Sequence, residues 1–133
     1  MAKGQNGGYV LLDAAAPEVI LIASGSEVSI CVDAARLLAG EGSRVRVVNL
    51  GCWEVFDAQP REYRDQVLPP GVTCRLAVEA ACSFGWERYV GDKGEVLGID
   101  RYGFSAPWKV IATKLGFTAE GVAARARQLL QRR

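Results

Sequence analysis

The chain has 133 residues, enough for one globular domain with a buried core. Half of its residues are hydrophobic, 23% are charged, and the net charge of +1 gives no overall field that would attract nucleic acid or an anionic membrane. No apolar run approaches the ~18–20 residues that span a bilayer, and the first residues lack a signal-peptide core, so we expect a cytoplasmic protein without nucleic acid or membrane partners.

The sequence contains no histidine. Histidine is the commonest general base near neutral pH and the commonest metal ligand in proteins, so its absence closes the usual routes to both functions. The four cysteines are widely spaced, without a Cys-x-x-Cys pair, and are expected to be free thiols: Cys31, Cys52, Cys74 and Cys82. We therefore predict no catalytic, cofactor-binding or metal-binding residue in this chain.

The first third of the chain predicts two strands. Residues 1–8 are polar and glycine-rich, which is typical of a linker or a frayed start. A short apolar strand is predicted at Tyr9–Leu12, and its direction in the sheet is left open between parallel and antiparallel. Asp13–Pro17 ends it before the main strand, Val19–Ala23, which is an unbroken apolar run rich in β-branched residues. Such a run predicts a strand that is buried on both faces.

A glycine turn, Ser24-Gly25-Ser26, connects the main strand to the first predicted helix. The helix has apolar residues at the i, i+3, i+4, i+7 spacing of a face that packs against a sheet. Ser24 and Glu27 match the capping-box pattern at its start, and Gly40 or Gly42 would end it.

The remaining elements continue this alternation. In chain order they are a strand at Arg44–Leu50, short helical turns between Cys52 and Gln66 interrupted at Pro60, a core strand at Thr73–Val78, a helix at Ser83–Val90, a strand at Glu95–Ile99, a loop at Asp100–Ser105, a helix at Pro107–Leu115, and a final helix at Thr118–Arg132 capped by Thr118. The pattern predicts a Rossmann-like, three-layer α/β/α domain whose open sheet has about five strands, mostly parallel.

One candidate binding site follows from this arrangement. In open α/β sheets, ligands bind beyond the carboxyl ends of the strands, often at a helix N-terminus. Ser24, Gly25 and Ser26 would lie there, together with Glu79 and Ser105, which follow two later strands. These five residues form a possible regulatory anion site.

Two observations favour a purely structural role for the same residues. The glycine spacing matches neither the dinucleotide-binding fingerprint nor the phosphate-binding P-loop. Glu27 would repel a phosphate, so capping of the helix is the simpler function of the serines. Glu79 could instead pair with an arginine or cap a turn, and the sequence offers it no partner acid for catalysis. Both interpretations stay open at this point.

Large side chains outside this site have structural interpretations. Packing at the edge of the core or at an interface is expected for Trp53, Trp86 and Trp108. The arginines of the last predicted helix are expected to form a solvated face: Arg125, Arg127, Arg132 and Arg133.

The order of the segments resembles the carboxy-terminal domain of bacterial-type transketolases over residues 2–130. The stretches that carry most of the resemblance are Ile-Ala-Ser-Gly-Ser-Glu-Val at 22–28 and Gly-Ile-Asp-Arg-Tyr-Gly-Phe-Ser-Ala-Pro at 98–107, supported by Tyr63-Arg64, Val67-Leu68-Pro69 and Gly116-Phe117-Thr118. The segment Gly51-Cys52-Trp53-Glu54 departs from the family pattern, which typically has a proline and small polar residues there.

The resemblance implies a parent enzyme that depends on thiamine diphosphate and magnesium and transfers two-carbon ketol units between sugar phosphates in the pentose phosphate pathway. In that family the cofactor is bound by upstream domains of both subunits of a homodimer. Residues 1–8 would be the remnant of an interdomain linker, and residues 9–133 the carboxy-terminal domain. This domain would be structural and would support the dimer without taking part in catalysis. The alternative is a regulatory module that binds an anion or a nucleotide.

Overall fold

A computed structural model gives the fold of the chain and describes residues 6–79, 85–98 and 118–132. The strands in these ranges are β1 (Gly8–Leu12), β2 (Val19–Ala23), β3 (Val45–Leu50), β4 (Arg75–Glu79) and β5 (Glu95–Gly98). The helices in these ranges are α1 (Glu27–Gly40), α2 (Trp53–Asp57), α3 (Arg61–Val67), α4 (Glu87–Val90) and α5 (Ala119–Arg132).

The five strands form one sheet in the order β1-β3-β2-β4-β5. The strands β3, β2, β4 and β5 are parallel, and β1 pairs with β3 in the antiparallel direction. The central strand β2 places Leu21 opposite both Val47 and Leu76. Every residue of β2 is fully buried, as expected for a continuous apolar run with strands on both sides and helices on both faces. The predicted α/β sheet is confirmed, and the first strand is antiparallel.

Helices cover both faces of the sheet and complete three layers. Leu21 and its neighbours on one face pack with the apolar sides of α1 and α5. Ile22, on the opposite face, belongs to a second cluster with Phe56, Trp86 and Tyr89 from the segments around α2 and α4. The period-2 alternation of a strand therefore supplies two separate cores from one apolar run.

The last helix is fixed to the rest of the domain at several points. The backbone N–H of Gly121 donates to the side-chain oxygen of Thr118 at 3.0 Å. Thr118 therefore caps this helix, as predicted. Arg127 forms two hydrogen bonds to Glu41, which follows α1, at 2.7 and 2.6 Å. Arg125 and Arg132 form ion pairs with Glu95 of β5 at 3.3 and 2.8 Å. The expected solvated arginine face is present, because these three side chains keep 41–60% of their surface exposed while they pair with carboxylates of neighbouring elements.

Two predicted elements differ from the structure in their extent. The third core strand begins at Arg75 instead of Thr73 and ends at Glu79, as predicted. The helix predicted at Ser83–Val90 is helical only from Glu87, among the residues described, because Gly85 has φ +90°, outside the helical region. The predicted loop and helix between Asp100 and Leu115 lie outside the described residues.

The tryptophans that the structure describes are packing residues. Trp86 is buried in the second core cluster, and Trp53 packs edge-on against it with ring centroids 4.9 Å apart. Trp108 lies outside the described residues. In the parts of the chain that the structure covers, no helix has the length and apolar character to cross a bilayer.

Candidate functional site

The predicted site lies at the carboxyl ends of β2 and β4. The connection after β2 leads through α1 to β3 on one side, whereas β4 lies on the other side of β2. Because the next strands lie on opposite sides of β2, a crevice forms between the ends of β2 and β4. Such a crevice is the usual ligand position in open α/β sheets. The fold therefore presents the position at which a ligand would be expected.

Two of the predicted site residues meet in this crevice. Ser24, directly after β2, donates a hydrogen bond from its hydroxyl to Oε2 of Glu79, the last residue of β4, at 3.4 Å. The parallel pairing of β2 with β4, in which Ala23 lies opposite Val78, brings these side chains together. Ser105 lies outside the described residues, so its place relative to this pair stays a prediction.

The capping box predicted at Ser24 and Glu27 was wrong. The N-cap of α1 is Ser26, which itself has helical dihedral angles (φ −68°, ψ −23°) and no side-chain capping bond. Gly25, at φ +61°, turns the chain so that the Ser24 hydroxyl is directed to Glu79 instead of the helix. The Ser26 hydroxyl donates to Oε2 of Glu27 at 2.9 Å. The serines of this turn thus bind carboxylates and do not cap the first turn of α1.

The electrostatics of this edge disfavour an anion. Glu27 has only 7% of its surface exposed, and Glu79 is half-buried. A diphosphate needs N–H groups or cations as partners, whereas the Ser24 and Ser26 hydroxyls at this edge are hydrogen-bonded to Glu79 and Glu27. Within the described ranges, the residues at this edge therefore do not fit thiamine diphosphate. No group of three metal-ligating side chains occurs within the described ranges.

A second polar region was not predicted from the sequence. It is a cleft at the amino end of β4, between α3, α4 and the turn at 91–94, and Arg75 forms part of its wall. The signal was present as a charged residue inside the apolar run Thr73–Val78. An arginine in a buried strand must find polar partners, so it marks a place where the core opens to backbone carbonyls or to solvent.

Comparison with known proteins identifies the class of domain that this fold represents. The three-layer α/β fold is that of a Rossmann-like domain, and the described part of its switch point contains the carboxylates of Glu27 and Glu79. The model of the transketolase-like TK C-terminal domain family matches residues 7–118, and the chain belongs to this family.

Relatives and solved structures agree with this assignment. A transketolase of Nostoc sp. is 53% identical over 125 residues, which cover 93% of this chain and 19% of the relative. A transketolase of Geobacillus stearothermophilus is 50% identical over 128 residues, 95% of this chain and 19% of the relative. The structure of a transketolase from Leishmania mexicana superposes with a TM-score of 0.89 at 46% identity, covering 98% of this chain and 19% of that chain. The chain thus spans about a fifth of the length of these relatives.

Proposed function

We propose that this chain is the carboxy-terminal domain of a cytoplasmic transketolase that requires thiamine diphosphate and magnesium. The parent enzyme would transfer two-carbon ketol units between sugar phosphates in the pentose phosphate pathway. The domain itself would be structural: it would support the homodimer and would not take part in catalysis. Its partners would be the upstream domains of the same chain and a second subunit.

The proposal rests on how much of each transketolase relative this chain covers. Similarity extends over 93% of this chain but over only 19% of the Nostoc transketolase. The larger part of such an enzyme is therefore available to bind the cofactor and the substrate. Residues 1–8 would then be the remnant of the linker to that part, and residues 9–133 the domain.

The chemistry of the candidate site supports a role outside the catalytic centre. The crevice at the ends of β2 and β4 contains Ser24 hydrogen-bonded to Glu79, with Glu27 buried beside the turn. The sequence has no histidine that could act as a general base near neutral pH. Thiamine diphosphate and magnesium would therefore be bound by the upstream domains.

Packing at the start of the domain supports a fixed connection to upstream domains. The carbonyl of Gly7 accepts a hydrogen bond from the N–H of Cys52 at 2.9 Å, and the carbonyl of Gly8 accepts one from Tyr63 at 2.7 Å. A Cβ on Gly7 would lie 2.4 Å from the carbonyl oxygen of Cys52, so a larger residue would not fit there. The chain thus enters the domain on a defined path, which would set the orientation of the domain to the part before it.

The proposal is tested with the 133-residue chain and with the complete parent enzyme. With thiamine diphosphate, magnesium and sugar phosphates, the 133-residue chain alone should show no turnover. Removal of residues 9–133 from the parent should weaken the dimer, measured by analytical ultracentrifugation over a range of concentrations. Ketol transfer by the 133-residue chain alone would contradict the non-catalytic role.

The regulatory alternative places an anion or a nucleotide at Ser24, Gly25 and Ser26, near Glu79 and Ser105. The hydroxyls of Ser24 and Ser26 are already hydrogen-bonded to Glu79 and Glu27, which weighs against it. Titration of the chain with phosphate and nucleotides, followed by thermal shift, distinguishes the two functions. Saturable stabilisation at millimolar nucleotide, lost when Ser24 and Ser26 are replaced by alanine, would support the regulatory function.

A further inference from the structure

The cleft at the amino end of β4 has a volume of about 740 Å³, large enough for a small organic ligand. It lies at the opposite edge of the sheet from Ser24 and Glu79. Its charged lining comes from α2, α3, β4 and the segment from α4 to β5: Asp57, Arg64, Asp65, Arg75, Arg88, Asp92 and Lys93. The balance of charge among these side chains determines which ligand the cleft can accept.

Two carboxylates that line the cleft have basic neighbours. Asp57 accepts hydrogen bonds from Arg88 at 3.1 Å and from the hydroxyl of Tyr89 at 3.0 Å. Asp65 lies 3.6 Å from the guanidinium of Arg61, one turn away on α3. Both pairs are partly exposed, so they reduce the negative charge at the cleft without removing it.

Arg75 contributes a positive charge that no carboxylate neutralises by direct contact. Its guanidinium donates hydrogen bonds to four backbone carbonyls, those of Leu68, Pro69, Val72 and Tyr89, at 2.7–3.2 Å. Among the residues that the structure describes, no carboxylate lies within ion-pair distance of it. Burial lowers the pKa of Arg75 from its usual value, and the nearby charge of Asp65 partly offsets this shift.

Arg64 and Lys93 add two cations with unused donors. Arg64 donates through Nε to the carbonyl of Gln59 at 3.1 Å, which leaves its two terminal nitrogens without a partner in the described part of the chain. Lys93 is exposed and has no ion pair within the same ranges. Asp92 is the third lining carboxylate, so the four cations of the lining (Arg64, Arg75, Arg88 and Lys93) exceed its carboxylates by one.

We propose that this cleft binds the phosphate group of a small phosphorylated ligand, between the terminal nitrogens of Arg64 and the ammonium of Lys93. A guanidinium fork and an ammonium are the side-chain groups that proteins commonly use for phosphate oxygens. The half-buried charge of Arg75 attracts the dianion from the wall of the cleft. This site differs in position and residues from the edge at Ser24, and it does not depend on the proposed enzymatic function.

The test is a titration of the ¹⁵N-labelled 133-residue chain with inorganic phosphate and with glycerol 3-phosphate, at constant ionic strength. Both should shift the amide signals of residues 91–94 and Arg75, with a dissociation constant of about 1–10 mM for the ester. Glycerol, which lacks the phosphate, should shift none of them. Chloride replaces phosphate in a parallel titration and should produce no saturable change.

Two variants test the residues. Lys93→Gln should weaken binding about tenfold, the factor expected for one charge-assisted hydrogen bond, and it should not unfold the chain because Lys93 is exposed. Arg36→Gln removes the same charge from an exposed position of α1, in the opposite layer, and should leave the affinity unchanged. Equal affinity in the Lys93→Gln and Arg36→Gln variants would overturn the proposal. So would phosphate-induced shifts confined to the amides of Ser24–Glu27.

Discussion

The hydroxyl of Ser24 lies 3.4 Å from Oε2 of Glu79, at the carboxyl ends of two neighbouring parallel strands. This is the position at which open α/β domains usually bind phosphate groups at a helix N-terminus. Here the serine that follows the strand is hydrogen-bonded to a carboxylate, and the first residue of α1 is the buried Glu27. The fold thus retains the usual position of a phosphate site, but the side chains described there disfavour a phosphate.

Loss of a hydroxyl at the start of α5 and at the start of α1 tests where a side chain caps a helix. Thr118→Ala should reduce the free energy of unfolding by about 1 kcal/mol, because it removes the capping bond to Gly121. Ser26→Ala should cost no more than Thr118→Ala, because it removes the hydrogen bond to Glu27 but no capping bond to α1. Urea denaturation of both variants measures the difference. A larger loss for Ser26→Ala would restore a capping role for this serine.

The ion pair between Asp13 and Arg46 should stabilise the loop before β2. Arg46 donates to both oxygens of Asp13, at 2.9 and 3.2 Å, and also to the carbonyls of Gln66 and Val67. Half of the Asp13 side chain is exposed, so solvent screening limits the expected cost of Asp13→Asn to about 1 kcal/mol. Asp33→Asn, which removes an exposed pair at 3.7 Å, is the control and should cost less than about 0.3 kcal/mol.

The same pair predicts a dependence of stability on pH. The hydrogen bond from Arg46 lowers the pKa of Asp13 from its usual value. A lowered carboxyl pKa stabilises the folded state above the unfolded pKa of about 3.9, and this contribution is lost as the pH falls through the folded value. The difference in unfolding free energy between the wild type and Asp13→Asn should therefore be present at pH 7 and decrease below about pH 4. A difference that stays constant down to about pH 2 would exclude this ion pair as its source.

Gly85 should be intolerant of a side chain. It has φ +90°, and a Cβ there would lie 2.7 Å from the Trp53 ring. Gly85→Ala should therefore destabilise the domain by about 2 kcal/mol and change the tryptophan fluorescence, because the Trp53 ring, which packs against Trp86, must shift. Gly71→Ala is the matched control: its Cβ would meet nothing within 4 Å, and its stability should stay within about 0.5 kcal/mol of the wild type.

The cysteines should differ sharply in reactivity. Cys31 is fully buried, and burial, followed by the charge of Glu27, raises its pKa to about 12. Cys52 is exposed at the start of α2. In the folded chain at pH 8, iodoacetamide should modify Cys52 quickly and Cys31 only at the rate of unfolding, as peptide mass spectrometry can show. Labelling of both at one rate without denaturant would indicate that the α1 layer opens far more readily than its packing implies.

The layered fold was predictable because its physical signals are local. The apolar run of β2 and the helical spacing of α1 each specify an element, and alternation of the two leads to a parallel sheet. The direction of β1 could not be derived, because it depends on pairing with β3, a partner 35 or more residues away. The helix start at Glu87 was missed because the positive φ of Gly85 depends on its packing against Trp53.

The candidate site was predictable in position but not in chemistry. The ends of β2 and β4 are placed by topology, so Ser24 and Glu79 could be expected at one edge. The hydrogen bond between them depends on the turn at Gly25, which also removes Ser24 from its predicted capping position. The cleft beside Arg75 forms only when three separated segments come together. Its one signal in the sequence was Arg75 itself, a charged residue within an apolar strand.

The most direct test of a non-catalytic, dimer-supporting domain compares the complete parent enzyme with a version that lacks residues 9–133. Steady-state ketol transfer is measured at protein concentrations where ultracentrifugation shows both to be dimers. We predict a weaker dimer with kcat within about twofold of the complete enzyme, a change of less than about 0.5 kcal/mol in the barrier. An intact dimer whose kcat falls more than about a hundredfold would contradict the proposal, because this domain would then stabilise the transition state.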